Sequence, residues 1–340
     1  MNSNNSIAKV GEIQLIKIIE DLIFKETNES LIRDDAFFFE SQESFNSIVF
    51  NSDMFVSSTD APIEMNYFQM GRKSVIMNIS DLIVKGVKPI GIIISLGLPD
   101  DLLISQFKSL IKGIISSSKS WNLSYLGGDL NNSKDVIINP TVFGFKDPKK
   151  IIPRKGLKDG DLLVINGKFG LTSVGFDILL NKRGNINDFR RYERSIRSVL
   201  EPDILGIEAY ILSENELAST SIDSSDGLVK SLRDLMRSNK GFGFEIEINK
   251  DLMDSEAIAY SNEFQIPLEE LIFNGGEEFI HIFTIPLRKY KEAVKLVESN
   301  GGVLIKIGQI IPEEKIYFIL DKNKKIEVSK IGYEHFREDN

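Results

Sequence analysis

The stretch from Lys146 to Asp161, KDPKKIIPRKGLKDGD, is the strongest constraint on how this chain can fold, because it is charged, holds two Pro and two Gly, and separates two regions that each alternate strand-like and helix-like patterns. A chain of 340 residues is longer than one hydrophobic core usually sustains, so two domains are expected, 1–147 and 148–340. In the first region Ile13, Ile16, Ile19, Leu22 and Ile23 recur at helical spacing and predict a helix from Glu12 to Phe24. Strands follow over Phe37 to Phe39 and Ser47 to Ser58, then a helix over Gly71 to Lys85 closed by Pro89. A strand over Gly91 to Leu98, a helix over Leu102 to Ser118, and strands over Asn122 to Leu126 and Val136 to Phe145 complete a mixed α+β unit. The second region reads as an α/β layer, with strands at Leu162 to Asn166, into SIDSSDG, and at Phe244 to Ile248, Phe279 to Ile285, Val303 to Ile310 and Lys315 to Leu320. Helices lie between Leu171 and Glu216 and at Leu228 to Ser238, Ser255 to Phe264 and Leu287 to Asn300.

The net charge of −9 argues against a nucleic-acid or anionic-membrane surface, both of which need an excess of Lys and Arg. Cysteine is absent, which excludes disulfides, thiolate nucleophiles and Cys-ligated zinc; two His make a His-rich metal site or a His-based triad a poor fit. The amino terminus MNSNNSIAKVGE has no signal-peptide pattern, and no apolar run approaches the roughly 20 residues that span a bilayer. A cytoplasmic protein is expected.

Acidic residues cluster beside Ser, Thr or Gly at element ends: Asp34-Asp35, Ser58-Thr59-Asp60, Asn78-Ile79-Ser80-Asp81, Gly127-Gly128-Asp129, Asp223-Ser224-Ser225-Asp226-Gly227 and Gly275-Gly276-Glu277-Glu278. Magnesium prefers such oxygen ligands and completes its shell with water and substrate phosphate. Each cluster alone also reads as a cap or a turn; their force is in order and number. Gly167-Lys168 is no phosphate-binding loop, since Phe169 stands where Ser or Thr is needed, and Gly241-Phe242-Gly243 precedes a strand rather than a helix. His281 reads as a strand histidine bonded locally. His335 is set in the aromatic carboxyl-terminal segment.

In that order, RDDAF, STDAPIE, GRKSVIMNISDLIVKGVKP, SLGLP, GGDLNNS, PRKGLKDGD, DSSDGL, GGEEF and GYEHF resemble the thiamine-monophosphate kinases of the aminoimidazole-ribonucleotide synthetase (PurM-like) superfamily. The resemblance implies an amino-terminal α+β domain whose strands pair across a homodimer, a carboxyl-terminal α/β domain, and Mg2+-assisted, in-line transfer from ATP to thiamine monophosphate. By position it implies metal ligation by Asp35, Thr59, Asp60, Asp81, Asp223 and Asp226, with Ser58 and Ser225 adding oxygens or nucleotide contacts; Asp60 and Asp226 stand at the centre of catalysis. Gly128 and Asp129 match a nucleotide and metal turn, Arg154 an ATP-phosphate contact, and Glu277 and Tyr333 the substrate side. The chain departs from the family where Tyr67 replaces a histidine that contacts substrate, which leaves another small phosphorylated acceptor, or nucleotide binding without turnover, as rival readings.

Overall fold

The computed structural model describes residues 12–28, 30, 34–40, 47–181, 186–248, 251–273, 275–321 and 324–328. Helix α1 (Glu12–Thr27) precedes β1 (Phe37–Glu40), β2 (Ser47–Asn51), β3 (Phe55–Val56), α2 (Ser57–Asp60), α3 (Tyr67–Val84), β4 (Pro89–Leu98), α4 (Ile104–Ser120), β5 (Ser124–Asn132) and β6 (Ile137–Lys146). Their strands form one sheet in the order β1-β2-β6-β4-β5, with β3 also on β6. There follow β7 (Leu162–Ile165), α5 (Leu171–Leu180), α6 (Glu193–Leu200), α7 (Ile207–Glu214), β8 (Thr220–Asp223), α8 (Leu228–Ser238), β9 (Gly243–Glu247), α9 (Ser255–Phe264), α10 (Leu268–Phe273), β10 (His281–Ile285), α11 (Leu287–Ser299), β11 (Ile305–Ile311), β12 (Ile316–Asp321) and β13 (Lys324–Glu327). The second sheet runs β13-β12-β9-β11-β7-β10-β8. The expected helix-on-sheet layers are present, but the pairing is mostly antiparallel: β10 lies between β7 and β8 antiparallel to both, and only β9 with β12 runs parallel among its described pairs. Among the described residues no helix is long and apolar enough to cross a membrane.

The element that positions the site is α3. Asn66 accepts a hydrogen bond from the Gln69 amide while Gln69 Oε1 accepts from the Asn66 amide, both at 3.0 Å, a reciprocal cap that starts the helix. It stops at Val84, with Gly86 at φ +75° just beyond, so that Pro89 opens β4 instead of closing the helix. Buried on almost every side, α3 packs on β2, β4 and β6 of the first sheet and on β8 of the second. It crosses α4 at backbone distance: a Cβ on Gly71 would lie 2.2 Å from the Leu110 carbonyl oxygen, and one on Gly113 would lie 1.9 Å from that of Phe68.

Two expectations change. Ser47 to Ser58 is not one strand, because the Asp53 amide donates to Asn78 Oδ1 at 2.7 Å and Asn78 Nδ2 donates to the Asp53 carbonyl at 3.0 Å. A side chain of α3 thereby takes the ladder bonds and turns the chain into α2. Gly127-Gly128-Asp129 lies inside β5, parallel to β4, rather than in a turn; at φ +156° a Cβ on Gly128 would stand 1.7 Å from the Ile94 carbonyl oxygen, so only glycine fits. The charged connector is no loose tether either. Ile152 and Leu157 are buried, and the Ser221 amide of β8 donates to the Pro153 carbonyl at 3.1 Å.

Candidate active site

The site forms where α3 meets the carboxyl end of β8 and the connector. Asp81 comes from the last turns of α3, Asp223 ends β8, and Asp35 lies two residues before β1. Each offers a carboxylate oxygen, and these three oxygens lie within 4.8 Å of one another. Ser80 donates to Asp223 at 2.8 Å, and Asn51 bridges Asp81 at 2.7 Å and Asp53 at 3.1 Å. Burial and then the neighbouring carboxylates of Asp223, Asp53 and Asp35 raise Asp81 well above the carboxylate range. Burial and Asp35 likewise push Asp223 up to about 7. Burial would raise Asp35 too, but Arg154 and Lys85 outweigh it and hold its carboxyl below the usual range.

Three carboxylates crowded in a dry place ask for positive charge, and their oxygen chemistry fits a hard divalent cation. Two protein cations already stand on one side. Arg154 pairs with Asp35, and Lys85, fully buried, lies 2.7 Å from Asp34 and 2.5 Å from Asp35.

A second group sits beside the first. The loops Ser224 to Gly227 and Gly275 to Phe279 are tied by backbone hydrogen bonds from Glu277 to Ser225 and from Phe279 to Ser224. Contact is so close that a Cβ on Gly227, at φ +87°, would strike the Gly275 carbonyl oxygen at 1.9 Å. Glu277 and Phe279 adopt left-handed backbones at φ +56° and +49°, strain of the kind stored at functional loops. Glu277 meets Lys73 at 2.6 Å, and Lys73 also donates to the Asp60 carbonyl at 2.8 Å. Burial raises Glu277 despite Lys73, and the charges of Asp60 and Asp226 push in the same direction. Asp226 pairs with the buried Lys230 at 3.1 Å.

Of the residues picked from sequence, Asp35, Asp81 and Asp223 converge, and Asp60, Asp226 and Glu277 adjoin them. Ser58 and Thr59 are exposed on α2, where Thr59 donates to Asp60 at 2.9 Å, and Ser225 is exposed on its loop. Arg154 faces Asp35. Asp129 is exposed on β5 outside the three-carboxylate group, and Tyr67 is half-buried in the first turn of α3. Tyr333 and His335 lie outside the described residues. His281 is not locally bonded: its buried ring lies against α3, with Nε2 3.5 Å from Ser80 Oγ, Nδ1 unpartnered, and its basicity pushed down to about 3 by burial. Lys73, Lys85 and Lys230 went unnoticed in the sequence. For two of them a signal existed, since Lys85 and Lys230 each lie four residues after an acid of a cluster, Asp81 and Asp226.

The raised carboxyls predict a pH effect with a definite sign. Between the ordinary carboxylate range and about 7, folded Asp223 holds a proton that the unfolded chain releases, and so does Glu278, pushed up to about 7 by burial although it accepts from the Gly170 amide at 2.6 Å. Stability is therefore present at the lower pH and is lost as pH rises through about 7, by about 1.4 kcal/mol per pH unit for each such proton. Asp35, shifted the other way, changes protonation only at more acid pH. Thermal melts in chelator should show a lower midpoint at about pH 8 than at about pH 5.5, with magnesium restoring part of the loss; a flat or rising profile contradicts the cluster.

The two sheets joined across the buried helix that carries Asp81 define a PurM-like, two-domain α+β fold. Residues 33–145 match the family model of the AIR synthase related protein, N-terminal domain. The chain belongs to the thiamine-monophosphate kinase family of phosphotransferases, being 30% identical over 331 residues to the thiamine-monophosphate kinase of Nitrosopumilus maritimus, across 97% of this chain and 100% of that one. The Pyrococcus abyssi thiamine-monophosphate kinase is 29% identical over 304 residues, 88% of this chain and 93% of its own. In three dimensions the chain superposes on AaThiL complexed with AMPPCP and TMP at a TM-score of 0.81, with 24% identity over 96% of this chain and 97% of that chain.

Proposed function

We propose that this chain transfers the terminal phosphoryl group of ATP to thiamine monophosphate, with magnesium held at the cluster of Asp35, Asp81 and Asp223 and by the adjoining Asp60 and Asp226. The observation that carries this reading is the convergence of two acidic groups, one buried among α3, β8 and the connector, the other on the loops of Asp226 and Glu277. Bound magnesium would neutralise phosphate charge and stabilise the charge that develops during transfer. A phosphate monoester is already anionic near neutral pH, so no protein base is required, consistent with a buried, neutral His281. What the chain must do is bring two polyanions together and hold them in line. Lys73 joins Glu277 to the backbone carbonyl of Asp60, and Lys230 pairs with Asp226, which keeps these acids oriented. Ser58, Thr59, Ser225, Gly128, Asp129 and Arg154 are assigned to metal and nucleotide, and Tyr67, Glu277 and Tyr333 to the acceptor. Residues 1–147 and 148–340 are the proposed domains, and the cytoplasm is the proposed location.

ADP release should rise well above background when thiamine monophosphate is added with ATP and magnesium. Thiamine and other small monoesters should stimulate less. A neutral phenol at Tyr67 can donate one hydrogen bond but carries no imidazolium charge, so acceptor affinity should change little near neutral pH. If another monoester stimulates while thiamine monophosphate does not, the superfamily reading stands and the acceptor is wrong.

The same reading includes a homodimer through the open face of the first sheet. Phe37 and Phe50 pair their rings at 5.9 Å on one side, while Tyr125, Leu126 and Leu130 of the edge strand β5 are each about half exposed or more. Light scattering at micromolar protein should return twice 38.3 kDa, and a monomer mass removes the dimer from the proposal.

A further inference from the structure

Lys85 is held as a ligand is held. Its ammonium donates to the Ser221 carbonyl at 2.8 Å and to Ser221 Oγ at 3.3 Å and is ion-paired with Asp34 Oδ1 at 2.7 Å and Asp35 Oδ2 at 2.5 Å, a cage of oxygens. The side chain is 0% exposed. It caps the carboxyl end of α3, four residues beyond Asp81, and its partner Asp35 is a member of the three-carboxylate cluster.

We propose that Lys85 is a built-in cation of the carboxylate cluster, occupying a place that a divalent ion would otherwise fill, so that the cluster binds divalent metal weakly until nucleotide arrives with it. This rests on the metal reading above and deepens it. The charges support it: Asp34, Asp35, Asp81, Asp223 and Asp53 lie together, and Lys85 with Arg154 offset two of the five, both on the Asp35 side. Asp35 then has one oxygen facing Arg154 and the other facing Lys85, so it is a poor ligand until one of them turns away. A buried ammonium also repels a second cation across a short, dry gap far more than an exposed one would. ATP brings phosphate oxygens that hold metal on the Asp81 and Asp223 side, where no protein cation stands within ion-pair distance among the described residues. Lys85 is thus a positioning residue. It keeps Asp34 and Asp35 in place without metal and sets the order in which metal and nucleotide bind.

The test is Mn2+ binding followed by electron paramagnetic resonance, on the full chain, with and without a non-hydrolysable ATP analogue. Wild type without nucleotide should bind at about millimolar or weaker and tighten when the analogue is added. Lys85→Met should bind nucleotide-free Mn2+ about tenfold or more tightly, a gain that damage to the fold cannot mimic, while Lys85→Arg should behave as wild type. Unchanged or weaker binding in a folded Lys85→Met overturns the inference. Should that variant not fold, wild type still decides: about micromolar nucleotide-free binding that Asp223→Asn abolishes overturns it, and weak binding tightened by the analogue supports it. If Mn2+ does not bind even with the analogue, the metal reading itself falls and this inference falls with it.

Discussion

Asp226→Asn and Asp60→Asn are each expected to reduce turnover by on the order of a hundredfold or more at saturating ATP and magnesium, because an amide does not replace a carboxylate facing metal and phosphate. The surroundings allow both variants to fold. Asp60 Oδ2 accepts from the Val56 amide at 2.7 Å, a bond that an asparagine carbonyl can keep. Asp226→Asn weakens the pairing with Lys230, whose ammonium an amide oxygen can still accept from, and Lys230 retains Asp234 at 3.6 Å. Neutralising either acid also relieves repulsion on Glu277. Initial rates of ADP formation, read beside melting curves, separate the chemical loss from a folding loss. Near-wild-type turnover in either variant would remove that residue from the metal assignment.

Gly113→Ala is expected to lower the free energy of unfolding by about 3 kcal/mol. Alanine is the better helix former by about 1 kcal/mol, so propensity alone predicts the opposite sign. The crossing decides, because the new Cβ would lie 1.9 Å from the Phe68 carbonyl oxygen, and backbone cannot swing aside as a flexible side chain can. Relief requires α3 and α4 to separate, which shifts the helix that carries Lys73, Ser80 and Asp81 and is capped by Lys85. Activity should therefore fall in the fraction that remains folded. Denaturant titration giving equal or greater stability for the variant would show that α3 and α4 do not cross as described.

The two acidic groups explain why an acidic, cysteine-free chain suits phosphoryl transfer. Binding two polyanions favours recruited cations, and in the proposed reading they are held by carboxylates on a helix and on loops drawn together by buried glycines. Lys73, Lys85, Arg154 and Lys230 keep those carboxylates apart and oriented in the meantime. Neutral His281 closes the back of the cluster without adding charge.

Much of this was legible in the residues. Helical spacing located α8 and α9 at their observed bounds, since Gly227 and the Asp254 cap mark their starts locally. The motif order identified the family, because carboxylates at element ends form a pattern that no rearrangement of loops erases. Three things were settled by contacts between residues distant in the chain. Ser47 to Ser58 breaks because Asn78, on a helix further along, claims its backbone groups. GGD became strand because Gly128 fits against Ile94 on β4, a close approach that no turn rule anticipates. Arg154 and Lys85 became partners of Asp35 because the connector packs between α3 and β8, and a charge in a dry interior takes the nearest opposite charge, whatever its distance in sequence.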